Sequence, residues 1–204
     1  VEVTGRIPDA YFQAIGSGTG TIAAWENNLR LIEDGRYGSH KMRLYPSQND
    51  PFTIMYDSWC KHSRELVPMS PEEARQAAAI IDAKVLSNRK PPYSLAGGLF
   101  EAMEDAGGEM FKVTNEELHK WQDKFLKLEG IDIHNAAAVA VASLAQAVSN
   151  GTVGKDEMIM LNITGGGEER AKAEGGIIYA EPHLVMDPET PADEVAAKVE
   201  SLFR

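Results

Sequence analysis

Between Tyr11 and Glu26 the chain reads YFQAIGSGTGTIAAWE. Three glycines, a serine and a threonine stand between an apolar run, Tyr11 to Ile15, and a second run. In that second run Ile22, Ala23, Trp25, Leu29 and Ile32 recur near helical spacing, so the order reads as strand, glycine loop, helix. A helix N-terminus carries unpaired N–H groups and the positive end of its dipole, which suits an anion, above all a phosphate. Ser17 and Thr19 would add hydroxyl donors, while Gly16, Gly18 and Gly20 would let the backbone approach without a Cβ. A tight connection that simply needs glycines fits the same residues, and spacing alone leaves both readings open. The pattern is not a dinucleotide fingerprint, because its third glycine comes too early. Nor is it a P-loop, since no Gly-Lys-Ser/Thr follows.

A second glycine-rich stretch, Thr164-Gly165-Gly166-Gly167, follows EMIMLNIT, where Glu157 to Thr164 reads as a strand. In a parallel sheet both stretches leave at the same edge. Two such loops on one edge look like a cradle for a cofactor, although two independent turns also fit.

The elements between them alternate. A second strand is predicted at Lys41–Ser47 and a helix from about Phe52 to Arg64. The next helix opens with Ser70 as cap, Pro71 in the first turn and Glu73 in capping-box position. NRKPPYS, around Pro91-Pro92, must be a loop. Further helices are expected at Leu95–Asp105, after a cap at Thr114 or Asn115 with a stop at Gly130, and over NAAAVAVASLAQAVSNG. That last helix is apolar nearly all round and so belongs in a buried place. A short strand is expected in EMFKVT, and the tail from Pro191 to Phe203 reads as a surface helix. Strands alternating with helices define an α/β fold, a mainly parallel twisted sheet with helices on both faces.

The 204 residues carry a net charge of −11 with a pI near 4.9, which argues against a nucleic-acid surface. A single cysteine, Cys60, excludes an intrachain disulfide and fits a reducing, cytoplasmic setting. No apolar run reaches membrane-span length, so no membrane partner is expected. The chain opens VEVTGRIPDAYF, almost directly into a core strand and without an initiator methionine, which reads as the middle of a longer protein. The five histidines show no metal-ligand spacing, so no metal site is expected. Trp59 and Trp121 read as core, and Trp25 as packing or as a buttress of the glycine loop. Arg89 and Lys90 could meet an anionic substrate or be solvated loop charges. EERAKAE reads as a solvated helical turn.

The strand, Gly-Ser-Gly-Thr-Gly loop and TIAAWE helix resemble the phosphate loop of fold-type-II pyridoxal-phosphate enzymes, the tryptophan synthase β-like group. MLNITGGG resembles the segment that sets a hydroxyl beside the pyridine nitrogen in that group, and EGIDIHNAAAVAVASLAQAV resembles another of its helices. PDAYFQAIGSGTGTIAAWENNLRLIEDGRYGS, QNDPFTIMYDSW, VLSNRKPPYSLAGGLFEAM and GKDEMIMLNITGGG together resemble the C-terminal half of the archaeal cysteate synthases, relatives of threonine synthase. The likeness runs from about Pro8 to Gly167.

The resemblance implies a large-domain portion spanning residues 1–204 and pyridoxal 5'-phosphate as cofactor. The implied reaction is β-replacement: O-phospho-L-serine and sulfite give L-cysteate and phosphate, toward coenzyme M. It implies phosphate binding by Gly16, Ser17, Gly18, Thr19 and Gly20, and a neutral partner for the ring nitrogen at Thr164. The Schiff-base lysine would lie in an N-terminal half outside this chain. Lys41, Lys61, Lys84, Lys90, Lys112 and Lys155 stand in charged, solvent-type surroundings, so the chain is expected to hold a cofactor half-site without catalytic residues of its own. The whole enzyme is expected to be a homo-oligomer. Threonine synthase or a related lyase, and a non-catalytic scaffold, remain the alternative readings. A half-domain should also leave apolar area uncovered, expected at the helix Ala136–Val148 and the strand Tyr11–Ile15.

Overall fold

The structure, a computed structural model, describes residues 1–203. It divides into two compact units, Val1–Glu168 and Glu169 onward. In the first, four strands form one sheet: β1 (Ala10–Ala14), β2 (Arg43–Asn49), β3 (Phe111–Val113) and β4 (Ile159–Leu161), in spatial order β3-β2-β1-β4. All three pairings are parallel, with Ala14 opposite Ser47, Ser47 opposite Phe111, and Tyr11 opposite Met160. Parallel strands require crossovers, which the intervening helices supply.

Strand alternation sends Tyr11 and Ile15 to one face of β1 and Ala10, Phe12 and Ala14 to the other. Against the first face pack α1 (Thr19–Asp34), α2 (Ile54–Cys60) and α4 (Leu99–Ala106), around Ile7, Leu44, Met55 and Met103. The second face receives α6 (Asn135–Ser149), whose residues from Ala136 to Ser143 and Ala147 are buried between the sheet and α5 (Asn115–Glu129). Phe12 stacks on Tyr45 there, ring centroids 4.7 Å apart. α3 (Pro71–Ile80) begins with the capping box foreseen at Ser70 and Glu73, and α5 with another at Thr114 and Glu117. Among the described residues no helix is long and apolar enough to cross a membrane.

Several expectations are corrected. β4 spans three residues rather than Glu157–Thr164. Its ladder with β1 ends where the Asn162 N–H donates to the Phe12 carbonyl, 2.9 Å. The chain then bonds to the segment before α6 instead, His134 N–H to Gly165 O at 3.0 Å and Gly167 N–H to Asp132 O at 2.7 Å. α2 stops at Cys60, short of Arg64, because His62 turns into left-handed backbone at φ 50°. α4 begins at Leu99 rather than Leu95, since Gly97 adopts φ 67° and the Gly98 N–H closes a turn onto Leu95. Trp59 and Trp121 pack against the core but stay half-buried.

The uncovered apolar area falls only in small part where it was expected. β1 is an inner strand and most of α6 is covered by α5 and the sheet, while Val148 near its end is exposed. Also exposed are Met160 (49%) on β4 and Ile163 just beyond it. The second unit contains most of α7 (Glu168–Ala173) and all of α8 (Ala192–Ser201), neither with a buried residue.

Candidate cofactor site

β1 hands the chain to α1 through five residues, and each glycine of that turn meets a particular neighbour. A Cβ on Gly16 would lie 2.8 Å from the Val85 carbonyl oxygen and 3.3 Å from the Leu86 Cα. Both belong to a single 3-10 turn, Lys84–Leu86. Gly18, the N-cap of α1, sits at φ 82°, and a Cβ there would come 2.9 Å from Leu99 at the start of α4. A Cβ on Gly20 would overlap the Gln13 amide. The turn is therefore walled by backbone at Gly16 and by the side-chain ends of Leu99 and Gln13 at Gly18 and Gly20.

Gly18, the N-cap, has no side chain to cap α1; the Thr19 N–H donates to Ser17 Oγ at 3.4 Å, and the Gly20 and Thr21 N–H groups have no carbonyl of their own helix to reach. The Ser17 and Thr19 hydroxyls lie 2.9 Å apart on the open side. The N–H groups of this turn, a helix dipole and two hydroxyls form a donor-rich cradle without a fixed negative charge, which fits a phosphate monoester.

Thr164 leaves β4 at the same end of the sheet, because β4 is the parallel neighbour of β1. Its side chain is exposed and makes no hydrogen bond among the described residues. The glycines after it are tight: a Cβ on Gly165 would stand 2.8 Å from His134 Nδ1, and one on Gly166 would overlap the Asp132 carbonyl. The strand end is thereby pressed under the N-terminus of α6, bridged between Ile133 and Gly166.

Sequence reasoning missed the polar chain that joins these two strand ends. Asn162 Nδ2 donates to the Tyr11 hydroxyl at 2.9 Å, and that hydroxyl donates to Gln13 Oε1 at 3.0 Å. Gln13 Oε1 also accepts from Thr21 Oγ1, 3.2 Å, in the first turn of α1. Burial raises the Tyr11 pKa, with the Asn162 bond opposing, so the phenol stays a donor at neutral pH. The one signal in the sequence was a glutamine inside an apolar strand just before a glycine loop.

Other singled-out residues fall elsewhere. Trp25 does not buttress the loop through its indole nitrogen, which donates to Asp105 at the end of α4, 2.8 Å. Ser39-His40-Lys41 has the Ser-x-Lys spacing of a Schiff-base segment, yet Lys41 precedes β2 at the amino end of the sheet and pairs with Asp105 at 2.5 Å. Lys84 donates to the Ala78 and Ala79 carbonyls at the end of α3. Lys112 lies 3.8 Å from Asp50 and over the Tyr56 ring. Lys61, Lys90 and Lys155 are exposed. Arg89 donates to the Met69 carbonyl, 3.3 Å, beside a cleft of about 610 Å³ formed with residues 66–70 and Glu73.

A parallel sheet with a glycine-lined, donor-rich loop at one strand end and a threonine at the neighbouring one agrees with a family match over residues 1–165. The chain belongs to the family of pyridoxal-phosphate dependent enzymes. It is 47% identical over 193 residues to a cysteate synthase of Methanosarcina acetivorans, covering 94% of this chain and 46% of that protein. The corresponding protein of Methanoregula boonei is 45% identical over 196 residues, covering 96% and 46%. The chain thus spans about half the length of the curated relatives it matches.

Among solved structures it resembles a serine racemase from Dictyostelium discoideum, with TM-score 0.55 and 14% identity over 78% of this chain and 44% of that one. An L-serine ammonia-lyase from Rhizomucor miehei gives 0.58 and 13% over 81% and 47%. At such identities the likeness speaks for the fold, which is the fold-type-II arrangement.

Proposed function

We propose that this chain is the phosphate-binding portion of a cysteate-synthase-type enzyme, which converts O-phospho-L-serine and sulfite into L-cysteate and phosphate. The observation that carries this reading is the pairing of the Gly16–Gly20 cradle with Thr164 on adjacent parallel strand ends, in a chain close to half identical to cysteate synthases. The N–H groups of the first turn of α1, with the Ser17 and Thr19 hydroxyls, would hold the cofactor phosphate. Thr164 would stand beside the pyridine nitrogen as a neutral hydrogen-bond donor, which would leave that nitrogen largely unprotonated. When bound, pyridoxal phosphate supplies the electron sink for replacing a β-substituent. The Tyr11–Gln13–Thr21 chain keeps the two ends in register, so the donors are preorganised.

In this reading the Schiff-base lysine comes from outside the 204 residues, the chain alone does not turn over, and the whole enzyme is a cytoplasmic homo-oligomer serving coenzyme M synthesis. The test is turnover by the whole protein loaded with pyridoxal phosphate, given phosphoserine and sulfite. Equal amounts of phosphate and cysteate are expected. Turnover of O-phospho-L-homoserine to threonine instead, or no turnover with any phosphorylated hydroxy-amino acid, would overturn it.

A further inference from the structure

Residues 81–83 belong to no helix or strand, yet three asparagines from three different elements converge on them and on Ile80, the last residue of α3. Asn49 closes β2, Asn115 opens α5 and Asn135 opens α6. Asn49 Oδ1 accepts from the Ala83 N–H at 3.0 Å, and Asn49 Nδ2 donates to the Val113 carbonyl at 2.9 Å and to Asn115 Oδ1 at 3.1 Å. Asn115 Oδ1 also accepts from the Asp82 N–H at 3.1 Å, and its Nδ2 donates to the Ile80 carbonyl at 2.9 Å. Asn135 Nδ2 donates to the Asp82 carbonyl at 3.0 Å. Both protons and the oxygen of Asn49 are thus used, in a residue that is fully buried. An aspartate there could not donate, and an alanine could neither donate nor accept.

What this clamp holds is the approach to the 3-10 turn whose Val85 carbonyl and Leu86 Cα stand against Gly16. The turn is short and stiffened by the Leu86 N–H to Ala83 carbonyl bond, 2.9 Å. Displacement of Ala83 is therefore carried to Leu86 within one turn. Gly16 is the residue through which β1 enters the cradle, and the turn is its wall.

We infer that Asn49, Asn115 and Asn135 are positioning residues for cofactor binding, setting the wall against which the Gly16–Gly20 loop holds its N–H groups toward a phosphate. The inference rests on the reading of that loop as the phosphate site. It assigns the asparagines no contact with cofactor or substrate. A preorganised donor loop loses affinity when its support relaxes, even with every donor still present.

The experiment is a double-mutant cycle in the whole protein, pairing G16A with N115A and reading pyridoxal-phosphate affinity and the ³¹P resonance of the bound cofactor. N115A is expected to weaken affinity about tenfold, equal to about 1.4 kcal/mol, and to shift or broaden the ³¹P signal. G16A, which drives a methyl into the Val85 carbonyl, should lose more. In the double variant the loss should fall well short of the product of the two, because a loosened wall yields to the methyl. N135A, which removes the bond to the Asp82 carbonyl and the one accepted from Gln122, should repeat the coupling in weaker form if N115A does not fold. Multiplicative losses, with the N115A ³¹P signal unmoved, would mean that the clamp serves folding alone and would overturn the inference. Failure of the unsubstituted protein to bind pyridoxal phosphate would instead overturn the functional reading beneath it.

Discussion

The hydroxyl of Tyr11 is a small group with two obligations, accepting from Asn162 and donating to Gln13. Tyr11→Phe keeps the ring's packing and removes both bonds, leaving two amide side chains short of a partner near the sheet. The expected loss is about 1–3 kcal/mol of unfolding free energy. A urea transition unchanged from the parent would show that water replaces the phenol at no cost. The glycines after Thr164 make a sharper pair. Gly166→Ala puts a methyl into the Asp132 carbonyl at ordinary φ, whereas Gly167→Ala meets open space at φ 79°. The first should cost about 1–3 kcal/mol by overpacking and the second about 1–2 through left-handed backbone alone. Thermal melts of both decide the order, and Gly167→Ala proving the worse would refute the close approach. The glycine positions were legible in the sequence because the absence of a Cβ is itself a sequence feature. The Tyr11 chain was not, because it exists only once β4 lies beside β1.

Helix starts were legible for a comparable reason. Ser70 with Glu73, and Thr114 with Glu117, satisfy orphan N–H groups within four residues, so nothing distant is needed to foresee them. Strand lengths were less legible, since a strand ends where its partner does, and β4 loses β1 after Leu161. The amino end of the same pairing is fastened by Asp9, whose Oδ2 accepts from the Met158 N–H at 2.7 Å and pairs with Arg6 at the same distance. The Arg6 bond, then the Met158 N–H, hold the Asp9 pKa below its ordinary 3.8. The unfolded chain therefore takes up this proton first. Stability from Asp9 is whole above about pH 4 and drains as pH falls through the lowered folded value. Asp9→Asn should be less stable than the parent at pH 6, with the gap closing in acid. A gap that persists unchanged at pH 2.5 would contradict the assignment.

Taken whole, the described chain ends its sheet on β4 with an edge strand that shows Met160 to solvent and Ile163 just after it. An open parallel edge with apolar side chains is a template for another strand. The 204-residue chain by itself should therefore self-associate, and Met160→Lys should reduce this without lowering the melting temperature by more than a degree or two. Sedimentation velocity over a concentration series measures it, and a strictly monomeric parent would show the edge to be blocked. The same sheet order also sets a timetable. β1 meets β2 across a short stretch of chain, Ala10 to Arg43, but its other side waits for Ile159. Closing a connection of that length is entropically slower, and on a ribosome β4 emerges after every other strand. The two strand ends of the candidate site thus mature at different moments. In pulse-labelled refolding, the Ile15 amide, bonded to Ser47, should gain protection before the Asn162 amide, bonded to Phe12. The glycine cradle is in place before its threonine arrives.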